Sequence, residues 1–405
     1  MYSKPTNFII KASFLSDPQL RGWTFSSVSI GLLLGTIPLT FMNRLGTKKV
    51  LAIYVLTGCF SSFLYPWSHA LGFLPSFIIR TIQGMPGAII LWAINNISME
   101  WAPKSELGFA IAVLSSIYQI SPILAMVVAG EMCTTFGWEF TYYGLSFATF
   151  ISLTLFLIVY DDDFRKSRYL DQQEKEYISL GKIVKKETEN ESIPFSQVFR
   201  DPQAWLVWYM YFSFFTGMYI FLQYGPIYIN MVLKYDIRST GYAAALPHLI
   251  SLALKIFYGN STDDLCGLGM RVRMFLMFAL VELISAFCLL SLIFTTSDFY
   301  SLFIYVLFNT ANSLAVIVIM KQIQLISSQH SHFLANGNTF IVAICIFCAP
   351  FVVNFIVSEN TASQWTMLFS GISAQLISSV VAYGLFGKTK PSTWTELSSL
   401  SQEMK

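Results

Sequence analysis

Charge is what this sequence has least of. Asp, Glu, Lys and Arg make up 12% of its 405 residues, about half the roughly 25% of soluble domains. With 55% hydrophobic residues and a mean hydropathy of +0.58, there is too little polar surface to face water. The solvent of this chain is lipid. The formal net charge is only +2, and no basic stretch is placed to neutralise phosphates, which excludes nucleic acid as a partner. Cysteine is sparse too. Cys59, Cys133, Cys266, Cys288, Cys345 and Cys348 show no metal-ligand spacing and no disulfide framework. Cys345 and Cys348 do form C-x-x-C, but inside the apolar run IVAICIFCAPFVV, the wrong surroundings for a soluble redox motif. There is no nucleotide-binding loop, no Ser/His/Asp grouping and no H-E-x-x-H. Neither an enzyme, nor a metal ion, nor an organic cofactor is expected. The N-terminus also lacks the basic start and apolar core of a cleavable signal.

What is present is a succession of long apolar runs. A helix crossing the hydrocarbon core needs about 20 mostly apolar residues. Such runs lie near 23–43, 50–68, 73–99, 107–130, 139–160, 204–226, 239–258, 274–295, 299–321, 337–357 and 365–387, which predicts eleven membrane helices. Backbone groups in lipid must be paired within the segment, so each run is expected to be helical. Pro38, Pro86, Pro122, Pro226, Pro247 and Pro350 fall inside or near the span ends and are expected to kink them.

One long polar stretch, from Asp161 to about Asp201, separates five spans from six. Its mixed charges predict a short amphipathic helix and a flexible segment. Arg44, Lys48, Lys49, Lys104, Arg271, Arg273 and Lys321 lie on connections on the same side as this stretch. The opposite connections are poorer in basic residues, with Lys234 and Arg238 in one and none at 68–72. The positive-inside rule therefore puts the central loop and the C-terminus in the cytosol. The expected organisation is an extracellular or lumenal segment 1–22, a five-span bundle 23–160, a cytosolic loop 161–203, a six-span bundle 204–387 and a cytosolic tail 388–405.

The turn after the first span reads FMNRLGTKKVL, Phe41 to Leu51. A short reversal between helices needs a glycine (Gly46), and Arg44, Lys48 and Lys49 hold it at the cytosolic surface. It resembles the D-R-x-G-[RK]-[RK] signature of major facilitators, with Asn43 in place of the aspartate. A plain topology anchor is the alternative reading of these five positions. RTIQGMPGAIILWAINNISMEWAP (Arg80–Pro103) resembles the fourth helix of the solute-carrier family that includes sialin, the vesicular glutamate transporters and the sodium/phosphate cotransporters. GWEFTYYG (Gly137–Gly144), SRYLDQQEKEYIS (Ser167–Ser179), YIFLQYGPIYINMVL (Tyr219–Leu233), GYAAALPHLIS (Gly241–Ser251) and QWTMLF (Gln364–Phe369) match the same family in the same order. The resemblance runs from about Trp23 to Thr393.

That resemblance implies an all-α integral membrane protein with the major facilitator fold. Its two helical bundles would hold five and six spans here, against six and six in the family. Aligned this way, the first apolar run corresponds to the family's second helix, and a truncated isoform or an incomplete gene model would account for the difference. The implied activity is secondary active transport of a small organic or inorganic anion by alternating access between the bundles, coupled to a proton or a sodium ion. Family members move glutamate, sialic acid, nucleotides, urate or phosphate. A monomer is expected, embedded in the lipid bilayer of the plasma membrane or of an intracellular vesicle. A transport-inactive relative, acting as a receptor or partner, is the alternative.

Charges inside spans are expensive, roughly 3 kcal/mol on insertion scales, and usually functional. Arg80 lies about two turns into FLPSFIIRTIQG. At the matching position the family carries an arginine that engages the substrate's carboxylate or phosphate, a role a guanidinium suits because it can bind bidentately. The second reading is that Arg80 snorkels or pairs with a carbonyl between helices. Gln83, Asn95 and Gln223 are uncharged hydrogen-bonding groups that would line a cavity with it, or else join helices. Glu282, isolated in MFLMFALVELISAFC, is a candidate for ion coupling or for a neutral helix contact. His248, after Pro247, is a second coupling candidate or a cap for a carbonyl that the proline frees. Three departures from the family pattern favour the transport-inactive alternative. Gly87 stands where the fourth helix has its proton-coupling acid, Phe214 where the seventh can have an arginine, and Asn43 where the signature has its aspartate.

Overall fold

The computed structural model describes residues 14–42, 45–103, 110, 113–179, 195–261, 269–295, 297–327, 331–392 and 394–395. Among them the architecture is helical. The long helices are α1 (Pro18–Met42), α2 (Thr47–Ala70), α3 (Phe73–Gly84), α4 (Ile89–Trp101), α5 (Ile117–Thr135) and α6 (Trp138–Val159). The short α7 (Gln172–Ser179) and α8 (Phe195–Arg200) follow, then α9 (Pro202–Ile227), α10 (Ile237–Ser261), α11 (Met270–Ser291), α12 (Asp298–Ser327), α13 (Ser331–Ile356) and α14 (Ala362–Phe386). Ten helical stretches among the described residues are long and apolar enough to cross a membrane. The protein is a multi-pass integral membrane protein with an all-α fold.

The run at 239–258 forms the 25-residue helix α10, which is not among those ten. The fourth run extends further than its apolar core, to Thr135 rather than 130. The third is not one helix. A 3-10 turn at Met85–Ala88 separates α3 from α4, with Pro86 inside it, since proline lacks an amide hydrogen to donate and clashes with the preceding turn. Of the central stretch, α7 is the expected short helix, while residues 180–194 lie outside the described ones.

The chain forms two compact units, one of residues 1–118, 131–186 and 346–355, the other of 119–130, 187–345 and 356–405. In the first unit α1 crosses α3 without side chains between them. A Cβ on Gly31 would run into the carbonyl of Thr81, and one on Gly84 into that of Val28. Gly35, four residues after Gly31, meets the backbone of Met85 in the same way. Without a hydrophobic drive between helices in lipid, such close contact is what holds them. The turn between α1 and α2 is a joint. Gly46 has φ of 85°, and the Asp162 carboxylate stands where a side chain at 46 would point. Asp162 accepts from the Lys48 amide at 2.7 Å, satisfying a free N–H of the first turn of α2, and Lys48 Nζ pairs with Asp161 at 3.2 Å. Lys49 is exposed. Asn43 and Arg44 lie outside the described residues.

The second unit is knitted by aromatic rings. Phe221 packs on Phe308, Tyr305 and Phe369 at 4.3–5.5 Å between centroids. Helix α9 starts on an Asp201 cap with Pro202 in its first turn. The same Asp201 accepts from the Trp394 indole at 2.7 Å. Gln203 donates to the Phe386 carbonyl and accepts from the Lys388 amide, so the chain just after α14 is tied to the start of α9.

Candidate functional site

Helix α3 places Arg80 and Gln83 one turn apart and just before the break at Met85–Ala88. Residues three apart face the same way on a helix, and Arg80 Nη1 donates to Gln83 Oε1 at 3.2 Å. Gln83 in turn donates to Ser62 Oγ of α2 at 2.8 Å. From α6, Tyr142 Oη accepts from Arg80 Nη2 at 2.7 Å. From α2, the Tyr65 ring lies 4.0 Å from Arg80 Cζ, and the Tyr142 ring lies at 5.6 Å. These are cation–π distances, each contact being worth up to about 2 kcal/mol when desolvated.

The cluster continues toward the α2–α3 turn. The Tyr65 ring meets that of Tyr142 at 4.8 Å, and Trp138 lies 5.9 Å from Tyr142 and 5.1 Å from His69. The ring of Phe14, from the short 3-10 helix Phe14–Ser16, lies tilted 4.8 Å from that of His69. Arg80 thus sits in an aromatic sleeve of three helices. Its Nε is buried without an acceptor. No carboxylate among the described residues forms a salt bridge with it. A cation within a membrane span, held by neutral groups alone, retains its full charge for a ligand.

Sequence reasoning singled out Arg80 and Gln83, and the structure brings these two together. It did not find Tyr65, Tyr142, Trp138 or His69. Tyr65 and His69 lie one turn apart on α2, which makes the pair visible in hindsight, but nothing local ties them to Arg80. Asn95 is on α4, its side chain outside the described residues. Gln223, His248 and Glu282 belong to the second unit. Gln223 is half-buried on α9. His248 is half-buried on α10 and makes no hydrogen bond among the described residues, so it caps no carbonyl there. Glu282 is wholly buried, with no hydrogen bond to either oxygen. The second unit also has a recess of about 340 Å³ lined by Ile123, Val127, Tyr242, Leu246 and Leu249 among others. It is apolar and offers an anion nothing. Among the described residues no group of three or more His, Cys, Asp and Glu could hold a metal ion.

Residues 5–349 match the family model of the Major Facilitator Superfamily. Sodium-dependent phosphate transport protein 1 of Oryctolagus cuniculus is 24% identical over 389 residues, covering 94% of this chain and 83% of that protein. Sialin of Homo sapiens is 22% identical over 387 residues, covering 93% and 77%. A crystal structure of a D-xylose–proton symporter has the same fold, with a TM-score of 0.68 at 17% identity over 92% of this chain and 88% of that one.

Proposed function

We propose that this chain, which belongs to the Major Facilitator Superfamily, is a secondary transporter whose substrate is a small anion held by Arg80. The observation that carries the reading is the setting of that guanidinium. It lies in a membrane-spanning stretch, bonded to Tyr142 and Gln83 and stacked on Tyr65, with no carboxylate paired to it among the described residues. A charge in a membrane span without a counter-ion is costly. An anion that supplies the missing charge recovers that cost, through charge-assisted and bidentate hydrogen bonds.

The similarity to a sodium-dependent phosphate transport protein supports an anion as cargo. The broken span next to Arg80 supports a binding role, because discontinuous helices in transporters leave backbone groups free at the substrate site. Gln83 is the second contact we assign, with its amide fixed by Ser62. Movement of the anion across the bilayer would follow the alternating access of such folds, in which rocking exposes one site to each side in turn.

The test is uptake into proteoliposomes of radiolabelled phosphate, glutamate, sialic acid and urate by the wild type and by Arg80→Ala. We expect one of these anions to be taken up by the wild type and by less than about a hundredth as much in the variant, the loss of a bidentate charged contact. Uptake that survives in a correctly folded Arg80→Ala protein would refute the assignment. Uptake of none of the four by the wild type would favour the transport-inactive reading, which Gly87 at the family's acidic position supports.

A further inference from the structure

We propose that the described residues after α14, 387–392 and 394–395, form a clasp across three helix ends. It opens as one piece, with the Asp201–Trp394 contact as its catch. The exit from α14 is close. Gly387 lies against the carbonyl and ring of Tyr383, where a Cβ would collide with both.

Two buried glutamines hold the first residues of the clasp. Gln203 of α9 donates to the Phe386 carbonyl at 2.8 Å and accepts from the Lys388 amide at 3.0 Å. Gln322 of α12, wholly buried, donates to the Lys388 carbonyl and accepts from the Tyr383 hydroxyl at 2.8 Å. Lifting Lys388 takes this acceptor from a buried amino group, a cost that resists partial opening. Four residues on, the Ser392 amide donates to the Ile326 carbonyl at 2.9 Å, one of those that the end of α12 leaves unpaired. Pro391, just before it, restricts the free segment and so lowers the entropy lost on docking.

A turn follows, in which the Thr395 amide and hydroxyl both donate to the Ser392 carbonyl, at 2.9 and 2.6 Å. Trp394 is only 2% exposed, although α14 ends at Phe386. Its indole donates to Asp201 Oδ2 at 2.7 Å, a charge-assisted bond. Oδ1 of the same carboxylate caps α9 by accepting from the Gln203 amide at 2.8 Å. One carboxylate therefore holds the far end of the clasp and the first turn of α9, while the Gln203 side chain ties that turn to the near end. Shut, the clasp keeps these ends of α9, α12 and α14 as one body. Open, it releases the start of α9.

The test is hydrogen–deuterium exchange of the full chain in nanodiscs, read by mass spectrometry at single amides. In the wild type we expect the Gln203, Lys388 and Ser392 amides to be protected to a similar degree, as members of one opening unit. Trp394→Phe keeps an aromatic ring and removes the donor. It should speed all three together by about tenfold or more, the loss of one hydrogen bond to a charged group. Asp201→Asn should do the same, since it has one acceptor oxygen where two are in use. Trp205→Phe, which removes a different indole bond, to the Phe199 carbonyl, should leave the three amides unchanged.

Lys388 and Ser392 amides that exchange in the wild type as fast as in a free peptide overturn the proposal. So does a Trp394→Phe protein in which only residues 394 and 395 exchange faster, since the contact would then be local. Equal acceleration in Trp205→Phe would mean general loosening and overturns it as well. Should Trp394→Phe not fold, Asp201→Asn decides by the same three amides.

Discussion

Arg80 Nη2 donates to Tyr142 Oη at 2.7 Å, across 62 residues of sequence. This bond joins α3 to α6 and turns a lone charge in an apolar run into a fixed guanidinium with one edge held. Tyr65 supplies the face beneath it and Gln83 the second hydrogen bond. Orientation matters as much as charge here, since a bidentate contact works only if the fork cannot swing.

Tyr142→Phe tests that positioning. It removes the hydroxyl while keeping the ring, and a hydrogen bond to a charged group is worth about 1.5–3 kcal/mol. We expect the apparent affinity for the transported anion to fall roughly ten- to hundredfold, with the maximal rate much less affected. Concentration-dependent uptake measures both. An unchanged affinity would mean that Tyr142 does not hold Arg80 in the working protein.

Glu282 should behave as a helix contact. Its oxygens are buried and accept nothing, and replacing unpaired polar groups by an apolar side chain of similar size is usually neutral or stabilising. Glu282→Leu is expected to leave the melting temperature of the purified protein unchanged or a few degrees higher, and to leave uptake intact. Loss of uptake at constant melting temperature would make Glu282 an ion-coupling group instead.

The α1–α3 crossing should tolerate nothing larger than glycine at Gly31. A Cβ there overlaps a backbone carbonyl, which is unable to move aside as a side chain would. We expect Gly31→Val to lower stability by at least the ~1–3 kcal/mol of ordinary overpacking, seen as a lower melting temperature or aggregation in size-exclusion chromatography. Gly144→Ala, at a glycine where a Cβ meets nothing within 4 Å, is the matched control and should be neutral.

The joint between α1 and α2 predicts a smaller effect. Asp162→Ala removes the acceptor of the Lys48 amide, a loss typical of helix caps at about 0.5–2 kcal/mol. Gly46→Ala additionally places a side chain at φ of 85°, at a cost of roughly 1–2 kcal/mol. Thermal unfolding in detergent should rank wild type above Asp162→Ala and Gly46→Ala. If both variants melt with the wild type, the turn is only a topology anchor.

The order of the helices was readable from the chain because apolar length and turn residues are local properties. Lipid leaves a backbone no alternative to helix, so each apolar run was expected to be helical, and each contains a helix among the described residues. The third breaks at a 3-10 turn around Pro86, one of the prolines expected to kink its span. A charge in an apolar run is also local, which is why Arg80 and its one-turn neighbour Gln83 stood out. What only the tertiary structure decided is who surrounds them. Tyr65 and Tyr142 come from different helices, and an aromatic residue in a membrane span carries no mark of whether it faces lipid or a guanidinium. The same holds for Asp162, whose partner Lys48 lies 114 residues earlier. Such pairings depend on how helices cross, and the crossing of α1 and α3 is set by close backbone contact at Gly31 and Gly84, a relation between distant residues that no sequence period encodes.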